Sequence, residues 1–168
     1  MSQALPILSV LLAVLIAALP WGLPADATFI LPLIVVMIVF CWRVIPGANL
    51  PPVVAMLLGL LLDVTSGGPL GFWALMALVA GTVGHLARGL SSRWDWSPLW
   101  LVWTGLASAL AVFGWLLASL YYFRWVDWWP IGFGALVSAV LFPIIWRGLL
   151  KLYGDAYPRE DFNRRGVA

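Results

Sequence analysis

Charge is what this chain has least of: 9 Lys and Arg and 7 Asp and Glu among 168 residues, 10% in all, against roughly 25% in a soluble domain. So few charges exclude an ordinary water-soluble globular domain. The single cysteine, Cys41, lies in an apolar segment between Phe40 and Trp42, which excludes an internal disulfide framework and a cysteine metal centre. The single histidine, His85, has no second histidine or carboxylate on its helix face, so no metal constellation forms and a hydrogen-bonded packing role is expected. There is no nucleophile elbow, no phosphate-binding Gly-Lys-Ser/Thr loop, no His-Glu-x-x-His and no paired acidic motif. No enzyme and no cofactor are implied. The formal charge of +2 comes from basic residues scattered singly at the ends of apolar runs, which gives no patch for nucleic acid and reads instead as a set of topology signals.

What is present is apolar: 64% of residues are hydrophobic, 12 are tryptophan, and the mean hydropathy is +1.03. A hydrocarbon core about 30 Å thick takes about 20 residues per helix, so the length accommodates roughly five to seven spans and little else. Breaks at Pro, Gly and charge predict an all-α, single-domain bundle of six membrane helices over 4–20, 28–45, 51–66, 69–88, 97–122 and 127–149. A charged tail over 154–168 follows in the cytoplasm. Continuous apolar runs without alternation exclude a membrane β-barrel. Leu5 to Leu19 with Ala25-Asp26-Ala27 imitates a secretory signal, but the basic n-region is missing and the segment is read as a span.

With both termini in the cytoplasm, Arg43, Arg88, Arg93, Arg147, Lys151, Arg159, Arg164 and Arg165 fall inside and Arg124 alone falls outside. A five-span alternative, with 51–66 not crossing, moves only Arg43; six spans are preferred because that segment would otherwise enter and leave on one side. Trp42, Trp94, Trp96, Trp100 and Trp146 then fall at the inner boundary, and Trp21, Trp73, Trp125, Trp128 and Trp129 at the outer one, as interfacial belts require. Trp103 and Trp115 lie deeper. Gly81 and Gly84, with Ala80 and Thr82, predict close helix contact.

One stretch carries polar chemistry, GLLLDVTSGGPLG at 59–71. With Pro51 opening the third helix and Asn49 or Leu50 before it as cap, Asp63 lies about 18 Å along that helix, at its outer end. There the helix dipole opposes the carboxylate by a few tenths to about 1 kcal/mol. The next helix, starting near Pro69, offers unpaired N–H groups that Asp63 can accept. Thr65 and Ser66 are natural caps, and Gly67 and Gly68 permit the positive φ of a sharp reversal. On this reading 63–71 is a tight outer turn that satisfies its own backbone. The other reading starts from an ionisable residue at membrane depth being a candidate site: Asp63 pairs with Arg124 across the outer helix ends, or with a basic group on another protein.

Residues 59–81, GLLLDVTSGGPLGFWALMALVAG, resemble the rod shape-determining protein MreD family. The pattern is an apolar helix ending Gly-Leu-Leu-x-Asp, a small-residue turn, and Pro-Leu-Gly leading into a helix with aromatic and Ala-Leu character. The matched positions are Asp63, Gly67, Pro69, Leu70 and Gly71. The resemblance implies a non-enzymatic subunit of the bacterial inner membrane that helps assemble the peptidoglycan-building elongation complex. Its implied partners are MreC, the MreB filament system, and a RodA-type glycosyltransferase with its class B transpeptidase. It also implies a fold similar to the six-helix substrate-binding subunits of energy-coupling-factor transporters. A vitamin-type transport subunit is therefore the alternative, with Trp21, Trp73, Trp125, Trp128 and Asp63 as candidate linings of an outer polar pocket.

Overall fold

A computed structural model describes residues 4–22, 24, 27, 29–48, 50–90 and 97–156. Among them all regular structure is helical, in the order α1 Ala4–Ala17, α2 Ile30–Val44, α3 Pro52–Ser66, α4 Phe72–Leu86, a 3-10 turn Ala87–Leu90, α5 Ser97–Tyr121 and α6 Trp129–Ala156. These are the six expected helices with moved ends. The last runs to Ala156 and so takes in the start of the expected tail. Asp26, Asn49, Arg93, Trp94, Trp96, Arg159, Arg164 and Arg165 lie outside the described residues, as does the rest of the tail.

Three stretches are long and apolar enough to cross a membrane: Phe72–Leu90, Ser97–Tyr121 and Trp129–Gly154. The helices α1, α2 and α3 are equally apolar but have 14, 15 and 15 residues, about 21–23 Å at 1.5 Å per residue. Each is shorter than the roughly 30 Å hydrocarbon core.

The helix α2 occupies the centre. It packs on α1, α3, α4 and α6, and ten of its fifteen residues are buried. A helix that is apolar all round belongs inside a bundle. This position explains Trp42, which sequence position puts at the membrane boundary. Its ring is fully buried, and its indole N–H donates to Ser9 Oγ at 2.7 Å, tying α2 to α1. Trp73 and Trp146 are likewise buried, at 6% and 5% exposure, so they are core residues and not belt residues. The exposed aromatic rim comprises Trp21, Tyr121, Tyr122, Phe123, Trp125, Trp128 and Trp129.

Aromatic packing joins α2, α5 and α6. Trp103 lies 5.3 Å from Phe40 and 6.3 Å from Phe142, and Phe142 stacks on Trp146 at 6.2 Å. Each such ring pair contributes about 0.5–1.5 kcal/mol beyond simple burial. Pro143 sits inside α6 and cannot donate to the carbonyl four residues earlier, that of Ala139. Trp100 supplies the missing donor: its indole N–H reaches Ala139 O at 2.9 Å. A proline in a lipid-embedded helix is tolerated when a neighbour refills the vacated bond in this way.

Two glycines set the helix spacing around α4. A Cβ on Gly59 of α3 would stand 2.5 Å from Ala74 Cα, and one on Gly84 would stand 2.7 Å from Phe40 O. Gly84 thus makes the expected close contact, here with α2. Gly81 has ordinary room, with Arg43 Cγ 3.6 Å from the equivalent position. His85 is exposed, not packed in the interior.

Candidate functional site

The site grows from one face of α3. Ala55, Leu58, Gly59, Leu62 and Asp63 are its buried residues, spaced by three and four so that they form a single stripe. Gly59 lets α4 approach at backbone contact distance, and Asp63, one turn further on, then lies directly against the start of α4. The carboxylate is 1% exposed.

Its bonds close the hydrogen-bond account at the N-terminus of α4. Asp63 Oδ2 accepts from Gly71 N–H at 2.9 Å and from Ala74 N–H at 3.3 Å, and Oδ1 accepts from Trp73 N–H at 2.7 Å. Phe72 N–H donates to Pro69 O at 3.2 Å, and with Leu75 N–H to Gly71 O at 2.9 Å the regular helical ladder begins. The four amides that a helix start leaves unpaired are therefore all satisfied, three by one side chain from the preceding helix. Gly71 is the N-cap residue and has no side chain to cap with; Asp63 does the work of the missing cap. The positive end of the α4 dipole favours the carboxylate there and offsets the opposing C-terminus of α3.

The turn and the start of α3 differ from expectation in four details. The helix α4 begins at Phe72, not near Pro69, because Pro69, Leu70 and Gly71 form the reversal itself. The positive φ angles belong to Gly67 at +67° and Gly71 at +92°; Gly68 is not among them. The α3 cap is Pro51, with Pro52 as the first helical residue, in place of Asn49 or Leu50. Thr65 and Ser66 do not cap α4. Their hydroxyls turn back and donate to Leu62 O at 3.0 Å and Asp63 O at 3.3 Å, the local back-bonding open to Ser and Thr in a helix.

The expected pairing of Asp63 with Arg124 does not form. Arg124 is exposed, and its loop is fastened to α5: Arg124 N–H donates to Ser119 O at 3.2 Å, Val126 N–H to Ser119 Oγ at 3.3 Å, and Trp115 Nε1 to Val126 O at 2.8 Å. Trp125 stacks on Trp115 at 5.4 Å. These contacts hold the loop against the end of α5, while Asp63 is buried in the α3–α4 contact with its oxygens bonded to α4 amides. The turn nevertheless presents an outer surface: Val64 is 67% and Leu70 76% exposed, with Thr65 and Ser66 beside them.

The aromatic side chains proposed to line an outer pocket separate. Trp21, Trp125 and Trp128 face outward and Trp73 inward. Behind Trp73 lies a cavity of about 20 Å³ bounded by Phe29, Phe72, Met76, Leu110 and Ile131 among others, room for about one water. The sequence reading missed Gly59; a small residue four positions before Asp63, and so on its face, was the available signal. It also treated Arg43 and Arg88 only as topology signals. Both bind backbone carbonyls at the opposite end of α4. No protein-family model, curated protein or solved structure matches the chain.

Proposed function

We propose that the chain is a non-catalytic scaffold subunit of the bacterial inner membrane, of the MreD kind, which helps assemble the peptidoglycan-synthesising elongation complex and so maintains rod shape. In this reading all six helices cross the membrane and both termini are cytoplasmic. The three shorter helices are accommodated by their place around the bundle centre and by local thinning of the bilayer. The partners are MreC, the RodA-type glycosyltransferase with its class B transpeptidase, and the MreB filament system.

The observation that carries the proposal is the use of Asp63. The residue at the centre of the MreD-like motif spends both carboxylate oxygens on three amides of its own chain, which suits a rigid turn that holds a shape for a partner. The cavity behind Trp73, at about 20 Å³, is far smaller than the roughly 300–1,000 Å³ of a small-molecule pocket, and this favours the scaffold over a vitamin-type transport subunit. Association in lipid draws on packing and a few polar contacts. The exposed Val64, Thr65, Ser66 and Leu70 at the turn supply both. The test is depletion in a rod-shaped host: cells become round if the proposal holds, and unchanged cell shape overturns it.

A further inference from the structure

The helices of this bundle fall into two heights. The helices α1 and α3 have 14 and 15 residues, about 21–23 Å, whereas α5 and α6 have 25 and 28, about 37–42 Å. They stand on different sides of α2: α1 packs on α2 and α3, while α6 packs on α2 and α5. The chain itself fixes the ends of α3. Pro51 and Pro52 open it, and Gly67, in the left-handed region, closes it, so neither end runs on into its loop.

The outward faces repeat the difference. On α3 the exposed apolar side chains run from Val53 through Leu57 and Leu61 to Val64, about 16 Å along the axis, and the exposed Thr65 and Ser66 follow at once. On α1, Leu8, Leu12 and Leu15 make a similar short stripe. On α5 the exposed apolar stretch runs from Leu101 to Leu120, about 28 Å, which matches the roughly 30 Å hydrocarbon core. A span too short for its bilayer is accommodated by snorkelling flanks, by association with another helix or by thinning of the lipid. The first needs long basic side chains at the helix ends. Neither α1 nor α3 contains Lys or Arg, nor do residues 45–51 and 67–71 on either side of α3. The second favours small residues that let backbones approach, and both stripes consist of Leu and Val. Thinned lipid is what these two faces fit.

We propose that the chain thins the bilayer along its α1–α3 face and leaves it at ordinary thickness along its α5–α6 face, its partner at the short face being the hydrocarbon layer itself. The mismatch is one-sided. Helix length falls about 7–9 Å short of the core at α1 and α3 and exceeds it at α5 and α6, where the aromatic rim of Tyr121, Tyr122, Trp125, Trp128 and Trp129 follows the apolar stripe at headgroup level. Lipids with shorter acyl chains are sorted to the short face by the same mismatch. The inference rests on the six-span arrangement proposed above and is independent of which proteins the chain assembles.

The test is site-directed spin labelling of the full-length protein in dioleoyl phosphatidylcholine vesicles, whose hydrocarbon core is about 30 Å thick. Cys41 is fully buried and out of reach of the label in the folded protein. Single cysteines go to exposed positions: Val53→Cys and Val64→Cys at the ends of the α3 stripe, Leu101→Cys and Leu120→Cys at the ends of the α5 stripe, and Val112→Cys between the last two. Depth is read from relaxation by oxygen against a polar nickel chelate. Thinning places all four end labels at the hydrocarbon boundary and only the label at Val112 in the dry middle. A flat bilayer would bury each end of a centred α3 stripe by about 7 Å, so an α3 label as dry as the one at Val112 overturns the proposal. Spin–spin broadening from Leu57→Cys would put a second copy on this face and overturn it too. Sidedness separates the inference from its premise: Pro46→Cys and Thr65→Cys, exposed before and after the α3 stripe, should react with a membrane-impermeant thiol reagent from opposite faces. Reaction from one face removes the six-span arrangement and the inference together, whereas opposite-face reaction with dry α3 labels overturns the thinning alone.

Discussion

Replacing Asp63 with alanine removes the acceptor for three α4 amides at once, at a position 1% exposed where water cannot substitute. Loss of a helix cap costs about 1 kcal/mol, and each buried donor left unpaired costs about 1–3 kcal/mol. The amides of Trp73 and Ala74 are buried and that of Gly71 is partly so. Against this, the change removes a carboxylate from the unfavourable end of α3, which returns a few tenths to about 1 kcal/mol. The balance is a loss of roughly 3 kcal/mol, allowing some relaxation. For a chain of this size, that lowers the melting temperature by about 6–12 °C. Asp63→Asn should fall between wild type and alanine, because its amide oxygen still accepts while its NH₂ faces a donor. Cys41 makes the assay direct. It is the only cysteine and is fully buried, so a thiol-reactive fluorophore added to purified protein in mild detergent reports its exposure as the bundle opens on heating. Arg124→Ala serves as the control and should melt with the wild type. A melting point for Asp63→Ala within about 2 °C of wild type, or an equal drop for Arg124→Ala, would refute the capping argument.

The other expectations concern spacing, the proline bond and function. Gly59→Ala and Gly84→Ala place a Cβ 2.5 Å and 2.7 Å from backbone atoms of the neighbouring helix and should each cost about 1–3 kcal/mol. Gly105→Ala, with nothing within 4 Å, should be neutral or gain up to about 1 kcal/mol; the same thiol assay ranks all three. Trp100→Phe removes the donor to Ala139 O below Pro143 and should cost about 1–3 kcal/mol, seen as a lower melting point. In a shape-complementation assay Asp63→Ala should restore rods less well than Asp127→Ala, whose carboxylate accepts only one exposed amide, that of Trp129 at 3.1 Å; equal and mild effects would separate Asp63 from function.

The helices and the chemistry of the Asp63 turn were legible in the sequence because both are local. Apolar runs punctuated by Pro, Gly and charge mark the helices, and only eight residues separate Asp63 from Gly71, so a carboxylate at one helix end finds the next helix start almost by chain geometry. What stayed hidden depends on tertiary neighbours. Trp42 counts as a boundary residue by position, yet α2 is surrounded on all sides and buries it. Pairing Asp63 with Arg124 followed from charge alone, and the Trp115 bond to Val126, which sets where Arg124 lies, joins residues on opposite sides of a loop. Thr65 and Ser66 read as caps by residue type, but they stand inside the last turn of α3, where their hydroxyls reach the carbonyls three residues back. Arg43 looked like a topology signal because the two carbonyls it binds, those of Gly81 and Leu50, come from α4 and from the loop before α3.

The most direct test of the scaffold reading is a pull-down of the tagged full-length protein from native membranes in mild detergent, with the co-purifying proteins identified by mass spectrometry. The expected result is recovery of MreC and the RodA-type glycosyltransferase with its class B transpeptidase. Recovery of an ATPase-containing transport complex in their place would contradict it.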